Sequence, residues 1–166
     1  PIHAMIFGVT GQDGSYLSEL LLGSGQKVIG VRRRTSTPNT ANIQHLLDNP
    51  NFELVEGDIT DMSSVMELIS SHDPDHIYNL AAMSHVGTSF KQPTLTWNVT
   101  ALGCMNILEC IRILGFQTRF YQASSSEMFG ESYSTKLTFT PYEMASNPLG
   151  FLPEYKEEWI KYQDEN

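Results

Sequence analysis

Gly8-Val9-Thr10-Gly11-Gln12-Asp13-Gly14 sets three glycines at G-x-x-G-x-x-G spacing, directly after the apolar run at 4–7. At that spacing the first glycine can make a tight turn, and the second lets the main chain approach a pyrophosphate. The third lets the following helix pack closely on the strand. The amides and dipole of the helix N-terminus would then face the negative ligand. Glycine is also the ordinary turn residue, so the triplet alone is a weak signal. Its place between a strand pattern and a helix pattern is what points to a dinucleotide. Roughly twenty residues further on, an Asp or Glu would accept from the ribose hydroxyls of NAD. Here that position holds Arg32-Arg33-Arg34-Thr35-Ser36. The guanidinium forks of Arg33 and Arg34, with the hydroxyls of Thr35 and Ser36, suit a 2′-phosphate, and so NADP. The competing reading is a solvated basic loop.

Three further groups stand at the ends of apolar runs. Asp58-Ile59 brings a carboxylate that can accept from an adenine amino group. Leu80-Ala81-Ala82-Met83-Ser84 brings small residues along which a cofactor can lie. Ser125 and Glu127, two apart within Gln122-Ala123-Ser124-Ser125-Ser126-Glu127, could act as a hydrogen-bond donor and a base in one cleft. A Ser-rich turn with a solvated Glu explains the last pair equally well when it is taken alone.

The elements that must position these residues alternate. Apolar runs at 4–7, 27–31, 52–55, 76–81 and 119–123 predict strands, and amphipathic stretches at 13–22, 61–70 and 94–114 predict helices. Gly23 and Gly25 predict the stop of the first helix, Thr60 or Asp61 the N-cap of the second, and Gly115 the end of the third. Such alternation implies right-handed βαβ units and a parallel sheet. The predicted fold class is α/β, a Rossmann-type doubly wound parallel sheet of about five strands, incomplete and without the full substrate domain. Residues 1–130 are expected to form the NADP-binding domain, and 131–166 a short divergent segment with a helix at 154–162.

Ten basic residues stand against nineteen acidic ones, for a formal net charge of −9. That balance argues against nucleic acid and anionic membranes as partners, because both need a basic face. No apolar stretch is long enough to span a bilayer. The N-terminus lacks the marks of a signal peptide, so a cytoplasmic location is expected, and position 1 is Pro rather than Met, which leaves a fragment, a frameshifted product and a true short relative as alternatives. Cys104 and Cys110 are six apart, on different faces of a predicted helix, and are expected to be buried reduced thiols. Asn98-Val99-Thr100 matches a glycosylation acceptor by chance only. No metal site is expected.

Taken together, GVTGQDGSYL at 8–17, RRTS at 33–36, GDITD at 57–61, YNLAAMSHV at 78–86 and RFYQASSSEMFG at 119–130 make the chain resemble a known family. These motifs are similar to those of the NADP-dependent GDP-mannose 4,6-dehydratases, which are extended short-chain dehydrogenase/reductases. The resemblance runs nearly continuously from 4 to 130. It implies a lyase reaction on GDP-mannose in which hydride leaves sugar C4 for NADP, water is eliminated across C5–C6, and hydride returns at C6. The product would be GDP-4-keto-6-deoxymannose, in nucleotide-sugar metabolism leading to GDP-fucose. It also implies that Ser125 hydrogen-bonds the sugar O4, that Glu127 removes the C5 proton, and that the protein is a homo-oligomer.

The chain departs from the family pattern in one respect that touches the chemistry. No tyrosine has a lysine four positions later, so the phenolate base expected on the helix after strand five has no counterpart. A family tyrosine that contacts the cofactor falls at Leu95. Three readings therefore stand side by side: a dehydratase represented in part, an NADP-binding module or degenerate subunit without turnover, and another extended short-chain dehydrogenase such as a sugar-nucleotide epimerase. Glu127 beside Ser125 favours dehydration over epimerisation, since elimination needs the extra base.

Overall fold

The computed structural model describes residues 1–36, 39–81 and 98–123, all within the unit Pro1–Ala123. Five strands, β1 (His3–Phe7), β2 (Lys27–Arg32), β3 (Phe52–Glu56), β4 (His76–Asn79) and β5 (Arg119–Gln122), form one parallel sheet in the order β3-β2-β1-β4-β5. Phe7 lies opposite both Val31 and Asn79, and Asn79 lies opposite Gln122. The C-terminal ends of the strands therefore line up along one edge. The strand order reverses between β1 and β4, and at such a switch point α/β sheets bind their ligands.

Side chains alternate between the two faces of the sheet as a period of two requires. Ala4, Ile6, Val28 and Phe52 join one core cluster, with Leu21 of helix α1 (Gln12–Gly23) and with Ile43 and Leu46 of a 3₁₀ helix (Ala41–Leu46). Met5, Phe7, Ile29, Val31 and Ile77 join the other. On that face they meet Val65, Leu68 and Ile69 of helix α2 (Met62–His72), and Ile107 and Cys110 of helix α3 (Gly103–Leu114). Burial on both faces is why these strands read as continuous apolar runs rather than alternating ones.

The helix ends follow from local chemistry. At the end of α1, Gln26 N–H donates to the Leu21 carbonyl and Gly25 N–H to that of Leu22, with Gly25 at φ +80. This is the Schellman arrangement that a left-handed glycine makes easy. Asp61, of the two N-cap candidates, caps α2 by accepting from Ser63 N–H at 2.9 Å. Gly115 ends α3 in the left-handed region at φ +66.

Several expectations are revised, among them the strand expected over 119–123, which ends at Gln122. The strand expected over 76–81 ends at Asn79. The helix expected over 94–114 is described from residue 98, where Asn98–Leu102 is π-helical and regular α-helix begins at Gly103. The 3₁₀ helix at Ala41–Leu46 was not anticipated. Cys110 is a buried free thiol as expected, whereas Cys104 is only partly buried. Burial raises the pKa of both, and the Glu109 charge adds to the effect at Cys110. Among the described residues no helix is long and apolar enough to cross a membrane.

Candidate dinucleotide site

The glycine turn leaves β1 at the sheet edge and enters α1. At φ +80, Gly8 sits where a Cβ would lie 2.8 Å from the Ala81 amide nitrogen and the Leu80 carbonyl carbon. Only glycine lets the turn press against the end of β4. A Cβ on Gly14 would come within 2.6 Å of the Gly8 carbonyl oxygen and 2.7 Å of Val9 Cα, so this glycine sets the distance between α1 and the turn. Gly11 differs: its Cβ would meet nothing closer than the Gly8 oxygen at 3.5 Å. The protein's own packing does not demand glycine at 11, whereas a ligand lying against the main chain would. Gly11 is also the N-cap of α1 and supplies no side-chain cap, so the first-turn amides have no capping acceptor from it.

The arginine segment follows β2 at the same edge. Arg32 is tied to Glu56 at the end of β3, 3.1 Å away, and its buried Nε has no partner. Arg33 and Arg34 are exposed and make no ion pair among the described residues, and Thr35 and Ser36 are exposed beside them. Asp58 Oδ1 accepts from the Thr60 hydroxyl at 2.7 Å and the Thr60 amide at 2.9 Å. The Thr60 hydroxyl, then its amide and the Arg33 charge, hold this carboxyl below its ordinary value against the opposing effect of burial. Asp58 is thus an anionic acceptor at neutral pH.

Gly8, Thr10, Arg32, Arg33, Asp58 and Ala81 line one cleft of about 200 Å³. A hollow of about 270 Å³ between His3, Lys27, Phe52 and His72 lies among residues at the opposite ends of the strands, away from the switch point. The cleft offers the Arg33 guanidinium, which makes no ion pair among the described residues, a buried Arg32 donor without a partner among them and an anionic acceptor at Asp58, and the open Gly11 and the uncapped start of α1 follow directly from Thr10 in its lining. That donor set fits a phosphorylated dinucleotide.

Of the residues singled out in the sequence, Gly8, Thr10, Arg33, Asp58, Ile59 and Ala81 line this cleft, Leu80 packs on Gly8, and Arg34 is exposed next to Arg33, as Gln12 and Asp13 are on the first turn of α1. The side chains of Val9 and Ile59 are buried in the core, and Ile59 also lines the cleft. Ala82, Met83, Ser84, Ser125 and Glu127 lie outside the described residues, as do Leu95 and the expected helix at 154–162.

Sequence reasoning missed two buried asparagines. Asn79, fully buried at the end of β4, donates to Gln122 Oε1 at 2.7 Å and accepts from the Ala81 amide at 3.2 Å, joining the ends of β4 and β5. Asn106 of α3 donates to the Ile59 carbonyl at 2.9 Å, fixing the residue after Asp58. Each is an asparagine inside an apolar pattern, a polar group that burial obliges to find a partner. That was the available signal.

The family model for GDP-mannose 4,6 dehydratase matches residues 5–148. The GDP-mannose 4,6-dehydratase of Yersinia enterocolitica is 49% identical over 134 residues, which are 76% of this chain and 36% of that protein. GDP-mannose 4,6 dehydratase 2 of Caenorhabditis elegans is 50% identical over 137 residues, 77% of this chain and 36% of that protein. The chain thus spans little more than a third of the length of these relatives. Among solved structures, the Bordetella bronchiseptica enzyme WbmH in complex with NAD⁺ superposes with a TM-score of 0.65 at 24% identity. It covers 97% of this chain and 52% of that one, a likeness of fold.

Proposed function

Because this chain belongs to the GDP-mannose 4,6-dehydratase family, we propose that it is the cofactor-holding part of an NADP-dependent sugar-nucleotide 4,6-dehydratase. Its substrate would be GDP-mannose and its product GDP-4-keto-6-deoxymannose. One observation carries the reading: Arg33, which makes no ion pair among the described residues, lines one strand-end cleft with Gly8, Thr10 and Asp58, and the open Gly11 follows directly from Thr10. The pyrophosphate would lie on the first turn of α1, with Gly8, Thr10 and Gly11 beneath it. Arg33 and Arg34, with Thr35 and Ser36, would take the 2′-phosphate. Asp58 Oδ2 would accept from adenine, since Oδ1 is already engaged by Thr60. When bound, NADP supplies the hydride acceptor and donor. Ser125 would donate to the sugar O4, and Glu127 would take the C5 proton. Leu80, Ala81, Ala82, Met83 and Ser84 would let the main chain run beside the cofactor.

A second reading rests on a specific observation: none of the seven tyrosines has a lysine four positions on. O4 deprotonation needs a phenolate whose pKa a nearby ammonium lowers, so these 166 residues alone would bind NADP without turning substrate over. The exposed apolar residues Leu102, Met105 and Leu108 along the π turn and α3 support homo-oligomerisation. The free thiols Cys104 and Cys110 accord with a reducing cytoplasm.

The test is a chimaera that joins residues 1–130 to the remainder of the Yersinia relative, assayed by mass spectrometry for the 4-keto-6-deoxy product. Conversion of GDP-mannose, abolished by Glu127→Gln and reduced by Ser125→Ala, is the expected result. A chimaera that binds NADPH yet converts no GDP-mannose would overturn the substrate assignment.

A further inference from the structure

The arginine segment and the glycine turn belong to different stretches of chain, yet one dinucleotide must meet both. The described contacts show what joins them. Asn42 Nδ2, on the 3₁₀ helix, donates to the Thr10 carbonyl at 3.0 Å, and the Ser15 hydroxyl of α1 donates back to the Asn42 carbonyl at 2.6 Å. Asn39 Nδ2 reaches the Thr10 hydroxyl at 3.4 Å. The 3₁₀ helix is itself anchored, because Ile43 and Leu46 are buried in the cluster that holds Val9. Thr10 is therefore gripped at its carbonyl and its hydroxyl by two amides from the stretch that continues from Arg33 and Arg34.

We infer that Asn42, assisted by Asn39, is a positioning residue for cofactor selection: it fixes the arginine segment relative to the glycine turn, so that the 2′-phosphate and the pyrophosphate of one NADP are met together. The inference rests on the NADP reading above. Asn42 need not touch the cofactor. Its amide is the one side-chain donor on the 3₁₀ helix that is bonded to the glycine turn among the described residues. Without it the arginines would still carry their charge, but their distance from the turn would no longer be set. A merely structural bond would weaken NADP and NAD alike, because both use the turn. A positioning bond weakens NADP selectively, because only NADP uses the arginines as well.

The experiment is calorimetric titration of the 166-residue chain with NADPH and NADH, on wild type, Asn42→Ala, Asn42→Gln and Asn39→Ala. In Asn42→Ala the NADPH-over-NADH preference is expected to shrink by about fivefold, the worth of one ordinary hydrogen bond. Asn42→Gln keeps the donor and is expected to recover part of the preference. Asn39→Ala, at an exposed site in the lining of the cleft, is expected to shrink the preference by a smaller factor and serves if Asn42→Ala does not fold. A wild type that prefers NADPH, with variants that retain the full preference or lose both affinities equally, overturns the positioning role alone. A wild type without any NADPH preference overturns the cofactor reading and this inference with it.

Discussion

A methyl group added at position 11 and one added at position 14 meet different surroundings, and the difference separates binding from folding. At Gly14 the new carbon would lie 2.6 Å from the Gly8 oxygen, a main-chain atom that cannot swing away. Gly14→Ala is expected to lower the urea-melt stability by about 2–4 kcal/mol. At Gly11 there is room and no positive φ, so Gly11→Ala is expected to change stability by less than about 1 kcal/mol. The same variant should weaken dinucleotide binding by about tenfold or more, because its methyl group occupies the ligand's approach. Equal melts for the two variants would show that the turn is packed otherwise. Asp58 supplies a pH dependence. Its folded pKa is depressed, so its contribution to stability is complete above the ordinary 3.8 and is lost as pH falls through the lower folded value. Acid melts of wild type and Asp58→Asn are expected to converge below that window and to diverge above it, with wild type the more stable.

At the scale of elements, the sheet and its two layers of helices were legible because each strand is an apolar run and each helix an amphipathic one. Burial on both sheet faces enforces the first pattern and burial on one helix face the second. The 3₁₀ helix was not legible. Its two buried residues, Ile43 and Leu46, are a single pair three apart in six residues, too short for a period to show. The glycine turn could be read because its strand, turn and helix follow one another along the chain. The asparagines could not: Asn42, Asn79 and Asn106 bond to partners 32, 43 and 47 residues away, and no window along the chain holds both ends of such a bond. Asn106 gives this a testable form. Asn106→Leu keeps the branched shape but leaves the Ile59 carbonyl without its donor inside the α3 contact, and an unpaired buried acceptor costs about 1–3 kcal/mol. A urea melt is expected to show that loss, together with weaker NADPH binding through displaced Asp58. An unchanged melt would mean that the carbonyl finds another donor.

For the whole molecule, the exposed Leu102, Met105, Leu108 and Ile113 add to the edge that β5 presents among the described residues. Apolar helix surface and an unpaired strand edge both favour association. Light scattering of the 166-residue chain over a roughly hundredfold range of concentration is expected to show dimers or larger species, with a urea midpoint that rises with concentration. A monodisperse monomer with a constant midpoint would mean that those surfaces are covered within the chain. Purified alone, the chain is expected to yield no 4-keto-6-deoxy product from GDP-mannose. Turnover at enzyme-like rates of about 1 s⁻¹ or more would show that a base other than the Tyr-x-x-x-Lys pair is present, with Tyr142→Phe and Tyr155→Phe the first variants to make. The central claim is that the glycine turn and the arginine segment hold NADP, and the most direct measurement is a calorimetric titration of wild type and of the Arg33→Ala/Arg34→Ala double variant with NADPH and with NADH. Wild type is expected to bind NADPH more than about tenfold tighter than NADH, and the double variant to lose that preference while keeping its NADH affinity. Equal affinities for the two cofactors, unchanged by the double replacement, would contradict it.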